Sequence, residues 1–212
     1  MSRLILFFLF CFQMFPAHAE ESILYRFRAT LDGSDIGEHT FQVTSTSNGR
    51  EVQSQANFKV KLLFITAYSY LHQAQEKWNG DCLTQLSSKT KENSDLTEVQ
   101  GKQQDNSFVL MTPKGEKRGG ECEMTFAYWN PKILSEDRLI NPQTGEILQV
   151  KISPLGEEQI SVRGVKQQAS RYKITAPQTE IDVWYESVEG TMRWVALQSV
   201  TPEGYVVKYE LV

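Results

Sequence analysis

The sequence predicts a mainly β protein: a large antiparallel, strongly curved sheet or incomplete β-barrel with one short helical segment. Apolar and polar residues alternate with period two along most of the chain, the mark of strands with one buried face. Turn clusters separate the alternating runs at short intervals. A dozen or so such strands make a sheet too wide to stay open and flat, so it should curl or close.

In chain order, Ile23, Tyr25, Phe27, Ala29 and Leu31 fall on one face of a strand, with Arg26, Arg28 and Thr30 on the other. Asp32-Gly33 breaks the run, and Phe41 and Val43 resume it against Glu38, Thr40 and Gln42, which predicts a hairpin. After a turn at Asn48-Gly49, Val52, Ser54, Ala56, Phe58, Val60 and Leu62 alternate with polar residues in the cleanest strand of the chain. Strands with one apolar and one polar face belong to antiparallel sheets. Leu63 to Trp78 reads as a long strand bent near Leu62 to Ile65, with Tyr68, Tyr70, His72, Ala74 and Trp78 sharing a face.

Asn79-Gly80-Asp81 turns the chain into a strand beginning at Cys82. Lys89 to Asn106 is polar and fits exposed edge strands or a long hairpin. Phe108 to Met111 is a short strand, and Pro113 to Gly120 is expected as a flexible loop. Between Thr125 and Asn141 the alternation pauses: an extended start, a turn at Asn130-Pro131, one or two turns of helix, and a second turn at Asn141 to Gly145. Strands return at Ile147 to Ile152, Ile160 to Val162, Ala169 to Thr175, Ile181 to Glu186, Met192 to Val200 and Tyr205 to Val212. Turns are expected at Pro154 to Gly156, Pro177, Glu189-Gly190 and Pro202 to Gly204. With no repeat, linker or shift of composition, residues 20–212 read as one antiparallel β domain.

Residues 1–19 read as a cleavable secretory signal. Arg3 is followed by the apolar run Leu4 to Phe12, then Pro16 and Ala17-His18-Ala19, an A-x-A end that predicts cleavage after Ala19. A permanent anchor is the alternative, although the run is short for a membrane span. The mature chain has no transmembrane segment by the same criterion, and the expected location is the periplasm or the exterior. Arg3 is the only charge lost on cleavage, leaving 21 cations against 26 acids. That balance, with no Lys/Arg-rich block, disfavours nucleic acid as a partner.

Cys11 leaves with the signal, so Cys82 and Cys122 remain. In an oxidising compartment an even pair is most simply a disulfide, and two free thiols are the alternative. Catalytic and cofactor motifs are missing. His39 and His72 lie in separate strands without partners at metal-ligand spacing, and no G-x-S-x-G elbow, phosphate loop or dinucleotide fingerprint is present. No cofactor or metal is expected. The informative feature is the set of 4 Trp and 8 Tyr, none of them in the signal. Such rings suit pocket rims as well as cores. Tyr68, Tyr70, Trp78, Tyr128, Trp129 and Trp184 are the candidate ligand-binding residues, with ordinary sheet core as the alternative for each.

Three stretches carry a resemblance over nearly all of the mature chain: FKVKLLFITAYSYLHQAQEKWNGDCL (Phe58 to Leu83), Cys122 with TFAYWNP and NPQTGE, and the closing IDVWYE, WVALQS and YELV. Together they resemble a family of exported bacterial proteins of unknown function. More distantly, long antiparallel strands followed by a tryptophan-bearing strand are similar to the lipoprotein-carrier (LolA/LolB-like) superfamily. That resemblance implies an incomplete barrel folded around helices with an apolar cavity for acyl chains, although little helix is evident in this chain to fill it.

The leading expectation is therefore an exported, non-enzymatic binder or carrier of an apolar ligand such as a lipid or acyl chain. Its alternatives are an envelope assembly or protein-interaction module, and an envelope hydrolase built around His72 and nearby carboxylates. Mass spectrometry of the exported protein should find a mature chain beginning at Glu20; a chain still beginning at Met1 would refute the cleavable signal.

Overall fold

The structure is a computed structural model and describes residues 21–62 and 65–212. The expected signal sequence, 1–19, and its cleavage site lie outside the described residues. Eight strands come first: β1 (Ser22–Leu31), β2 (Ser34–Thr46), β3 (Gly49–Leu62), β4 (Ile65–Asn79), β5 (Cys82–Glu92), β6 (Asp95–Gln104), β7 (Ser107–Thr112) and β8 (Gly115–Arg118). A 3-10 helix, Pro131–Ser135, precedes two short strands, β9 (Arg138–Ile140) and β10 (Ile147–Gln149). Five strands complete the chain: β11 (Lys151–Val162), β12 (Val165–Ala176), β13 (Thr179–Val188), β14 (Thr191–Val200) and β15 (Val206–Leu211).

Thirteen of these strands form one antiparallel sheet in the order β11-β12-β13-β14-β15-β1-β2-β3-β4-β5-β6-β7-β8, while β9 and β10 form a separate pair. The first strand thus lies beside the last, with Phe27 opposite Leu211 and Leu31 opposite Val207. All other neighbours in the sheet are joined by hairpins. The alternation seen in the sequence is the reason: on β3 Val52, Ser54, Ala56 and Phe58 are buried while the residues between them are exposed, and on β4 Tyr70, His72, Ala74, Glu76 and Trp78 are buried. Two-residue hairpin turns reverse the chain, as at Asp32-Gly33, where both residues have positive φ (47° and 81°), a conformation glycine adopts without cost and aspartate tolerates.

The sheet curls but does not close. Its edges, β8 and β11, are not bonded to each other, and residues 119–150 run from one edge to the other. This segment fills the lumen. Trp194 of β14 is fully buried there, with ring centroids of Phe27 at 4.1 Å, Tyr128 at 5.1 Å and Phe41 at 5.2 Å. Trp78 of β4 meets Trp129 edge-on at 5.3 Å. Main-chain bonds tie the segment to the wall, from Leu83 N to the Glu123 carbonyl (2.8 Å) and from Phe108 N to the Gly120 carbonyl (2.8 Å). Asn130 caps the 3-10 helix by accepting from Lys132 N, and Pro131 occupies its first turn, where its missing N–H is not needed. No helix among the described residues is long and apolar enough to cross a membrane.

Four local expectations change. Pro113 to Gly120 is not a loop: Gly115–Arg118 pair with β7, and their lack of an apolar face reflects a short exposed edge strand. Pro154 to Gly156 is a bulge rather than a turn. The register slips there while β11 continues, which an edge strand permits because the missing proline N–H need not face a neighbour. Lys89 to Asn106 forms the hairpin of β5 and β6, but it is not an edge, since β6 pairs onward with β7. Leu62 lies opposite Ile65, so the chain reverses where a bend within one long strand was expected.

Cys82 and Cys122 are joined, with a Cα–Cα distance of 4.8 Å, closing a loop of sequence separation 40. The bond fixes the start of the filling segment to β5. Loop-closure entropy assigns such a bridge about 4 kcal/mol. Replacing both cysteines with alanine should therefore lower the unfolding free energy by about 2 to 4 kcal/mol in urea titration; a loss below about 0.5 kcal/mol would show that the segment is held without it.

Candidate functional site

Between the inner face of the sheet and the filling segment lies a cavity of about 280 Å³. Strands β2 to β4 supply His39, Phe41, Val52, Ser54, His72, Ala74 and Glu76 to its wall. The opposite side comes from β13 to β15, through Ile181, Leu197, Val207 and Tyr209, and the filling segment contributes Thr125 to Trp129, Asn141 to Gln143 and Leu148. The inward register of each strand selects these side chains, because every second residue faces the lumen.

The wall is apolar with a polar row set into it. His39 Nε2 lies 2.7 Å from Ser54 Oγ, and His39 Nδ1 lies 3.2 Å from Tyr209 Oη. His72 Nδ1 lies 2.8 Å from Thr90 Oγ1, on the strand beside it. The two imidazole rings meet edge to face at 6.4 Å. Burial, reinforced by the neighbouring His72, holds His39 well below the ordinary histidine range. Burial alone pushes His72 down to about 4, so both rings are neutral at pH 7. Glu76, four residues beyond His72 on the same face, accepts from Trp78 Nε1 at 3.0 Å. Burial raises its carboxyl to about 7 against the opposing pull of hydrogen bonds from Thr125 and Trp78.

Of the residues singled out from the sequence, Tyr128 and Trp129 line the cavity. Tyr70 packs beside the lumen in a smaller cluster, stacked on Phe58 at 5.4 Å, and half-buried Tyr68 donates to Glu92 at the edge of that cluster. Trp78 does not line the cavity but orients Glu76 and packs on Trp129. Trp184 lies elsewhere: its Nε1 donates to Glu158 and the Arg171 guanidinium stacks over its ring at 5.1 Å. The sequence reading left His39 without partners and did not single out Ser54 or Glu76. Their signal was present: each is a polar residue at an inward position of an otherwise apolar face. Their convergence depends on strand pairing, which spacing along one strand does not reveal.

Such an arrangement can bind. It offers apolar surface for a chain and neutral donors and acceptors for a polar group. Among the described residues no cluster of three or more metal-ligating side chains forms.

The family model described as a domain of unknown function, DUF6134, matches residues 27–212. The chain is also similar in fold to the crystal structure of a β-barrel-like protein of another domain of unknown function, DUF1849, from Brucella abortus. The TM-score is 0.64 at 10% sequence identity, covering 89% of this chain and 94% of that one. Identity this low establishes likeness of fold and carries no activity with it. No curated protein matches the chain.

The ionisable row makes a measurable prediction. The folded state raises the Glu76 pKa, so the stability this proton confers is full below pH 4.5 and is lost as pH rises through about 7. The histidines act in the opposite sense: their lowered values favour the fold above pH 6.5, and that contribution falls as acid protonates them towards about pH 4 for His72. Glu76→Gln should therefore gain on the wild type by about 3 kcal/mol between pH 4.5 and pH 8 in urea unfolding; parallel pH profiles for the two proteins would show that the carboxyl titrates normally.

Proposed function

Because the chain belongs to the DUF6134 family, whose function is unknown, we propose a function from its own lumen: an exported, non-enzymatic binder of an apolar ligand such as a lipid or acyl chain. The observation that carries this reading is the cavity itself. A curled sheet of thirteen strands is filled by a segment that leaves about 280 Å³ between Tyr128, Trp129 and the wall. A concave, mainly apolar pocket with a few polar groups is the usual form of a small-molecule site.

Export is supported by the signal-like residues 1–19 and by the Cys82–Cys122 bridge, which suits an oxidising compartment. In the lipoprotein-carrier superfamily that the sequence resembles, an incomplete barrel folds around helices and leaves an apolar cavity. In this chain residues 119–150, with a single 3-10 turn, fill the lumen.

Protein purified without detergent, extracted with organic solvent and analysed by mass spectrometry should yield a co-purifying lipid at near-stoichiometric amount. Ala74 lines the cavity, and Ala74→Phe should obstruct it. That variant should weaken binding of a fluorescent acyl probe at least tenfold while remaining folded by circular dichroism; an empty wild-type protein with no affinity for the probe would sink the reading.

A further inference from the structure

The lumen's polar row has a chemical character that narrows what it can hold. Among the residues lining the cavity there is no lysine or arginine. The one acid, Glu76, is buried, and its carboxyl is engaged by Trp78 Nε1 and the Thr125 hydroxyl. His39 is saturated by Ser54 and Tyr209, which fixes its ring without giving it a charge partner. His72 uses Nδ1 on Thr90. The ring is only 2% exposed and lines the cavity. Ser54, Tyr209, Thr179, Ser199, Asn141 and Gln143 add further uncharged donors and acceptors.

An anionic headgroup entering this space would lose its hydration, find no counter-ion and, at pH 8, meet the ionised carboxylate of Glu76, which titrates at about 7. Burying an ion unpaired is far more costly than burying a hydrogen-bonded dipole. A hydroxyl or ester carbonyl, by contrast, meets neutral groups able to donate or accept, beside the apolar surface of Phe41, Val52, Ile181 and Leu197 that a chain requires. Resting on the lumen-binding reading above, we propose that the site selects an uncharged over an anionic single-chain amphiphile, with its hydroxyl or ester head against His72 and the Ser54–His39–Tyr209 group and its chain along the apolar wall.

The test compares three probes of one ten-carbon chain length at pH 8, binding to delipidated full-length protein by displacement of a fluorescent acyl probe: 1-decanoylglycerol, decanol and decanoate. The two neutral probes should bind at least tenfold more tightly than decanoate. His72→Leu should cut that preference to threefold or less while leaving displacement by a plain alkane unchanged, a split that simple loss of fold would not produce. If decanoate binds within twofold of 1-decanoylglycerol, the selection for an uncharged head is overturned while the lumen remains a binding site. If the displaceable probe itself fails to bind, both readings fall together.

Discussion

Trp194 is the contact on which the rest of the molecule depends. It projects from β14 into the lumen and touches Phe27 of β1, Phe41 of β2 and Tyr128 of the filling segment. These rings come from three parts of the chain that only the curled sheet brings together. A flat sheet would leave the inner face of thirteen strands facing water, whereas curling alone would leave a hollow. The segment from 119 to 150 meets both demands, and Trp194 with Tyr128 is where wall and filling lock. Aromatic groups of this kind bury large apolar areas and gain further from tilted and edge-on geometry.

The filling is fixed more firmly at one end than the other. Where β2, β4 and β5 turn, the Cys82–Cys122 bridge, the Trp78–Trp129 contact, the Arg50–Asp81 ion pair and the Asn130–Asp81 hydrogen bond gather. Arg50 also lies over the Trp129 ring at 4.8 Å. Towards the opposite end, the wall carries the smaller cluster of Ala29, Ala56, Phe58 and Tyr70, and the histidines lie between the two. The cavity follows from this asymmetry: the segment packs tightly against one end and does not reach to fill the whole lumen.

Much of this architecture was legible in the residues. Period-two alternation on β1, β3 and β4 located the buried faces, and the even pair of cysteines beyond the signal-like residues pointed to the bridge. Elements defined by position rather than composition were not legible. β8 is polar because it is a short edge, and β11 absorbs Pro154 and Gly156 in a bulge because its outer side is free. At the site, Tyr128 and Trp129 were visible as aromatic residues in an irregular segment. The His39–Ser54 and His72–Thr90 pairs were not, since each joins neighbouring strands across 15 and 18 residues of sequence. An inward-facing polar residue can be read from alternation, but its partner is set by register.

The pairing of β1 with β15 has a bearing on how the chain comes to be folded at all. Arg28 meets Glu210 at 2.7 Å, and Val212 N donates to the Arg26 carbonyl at 2.9 Å, so β1 is completed by a strand far along the sequence. Before β15 is in place β1 can pair on one side only, with β2, and its other edge stays open. Contacts so distant in sequence are slow to form because their loop entropy must be overcome before they stabilise anything. The curled sheet is thus completed only when β15 docks, and until then its central edge stays exposed to any other strand.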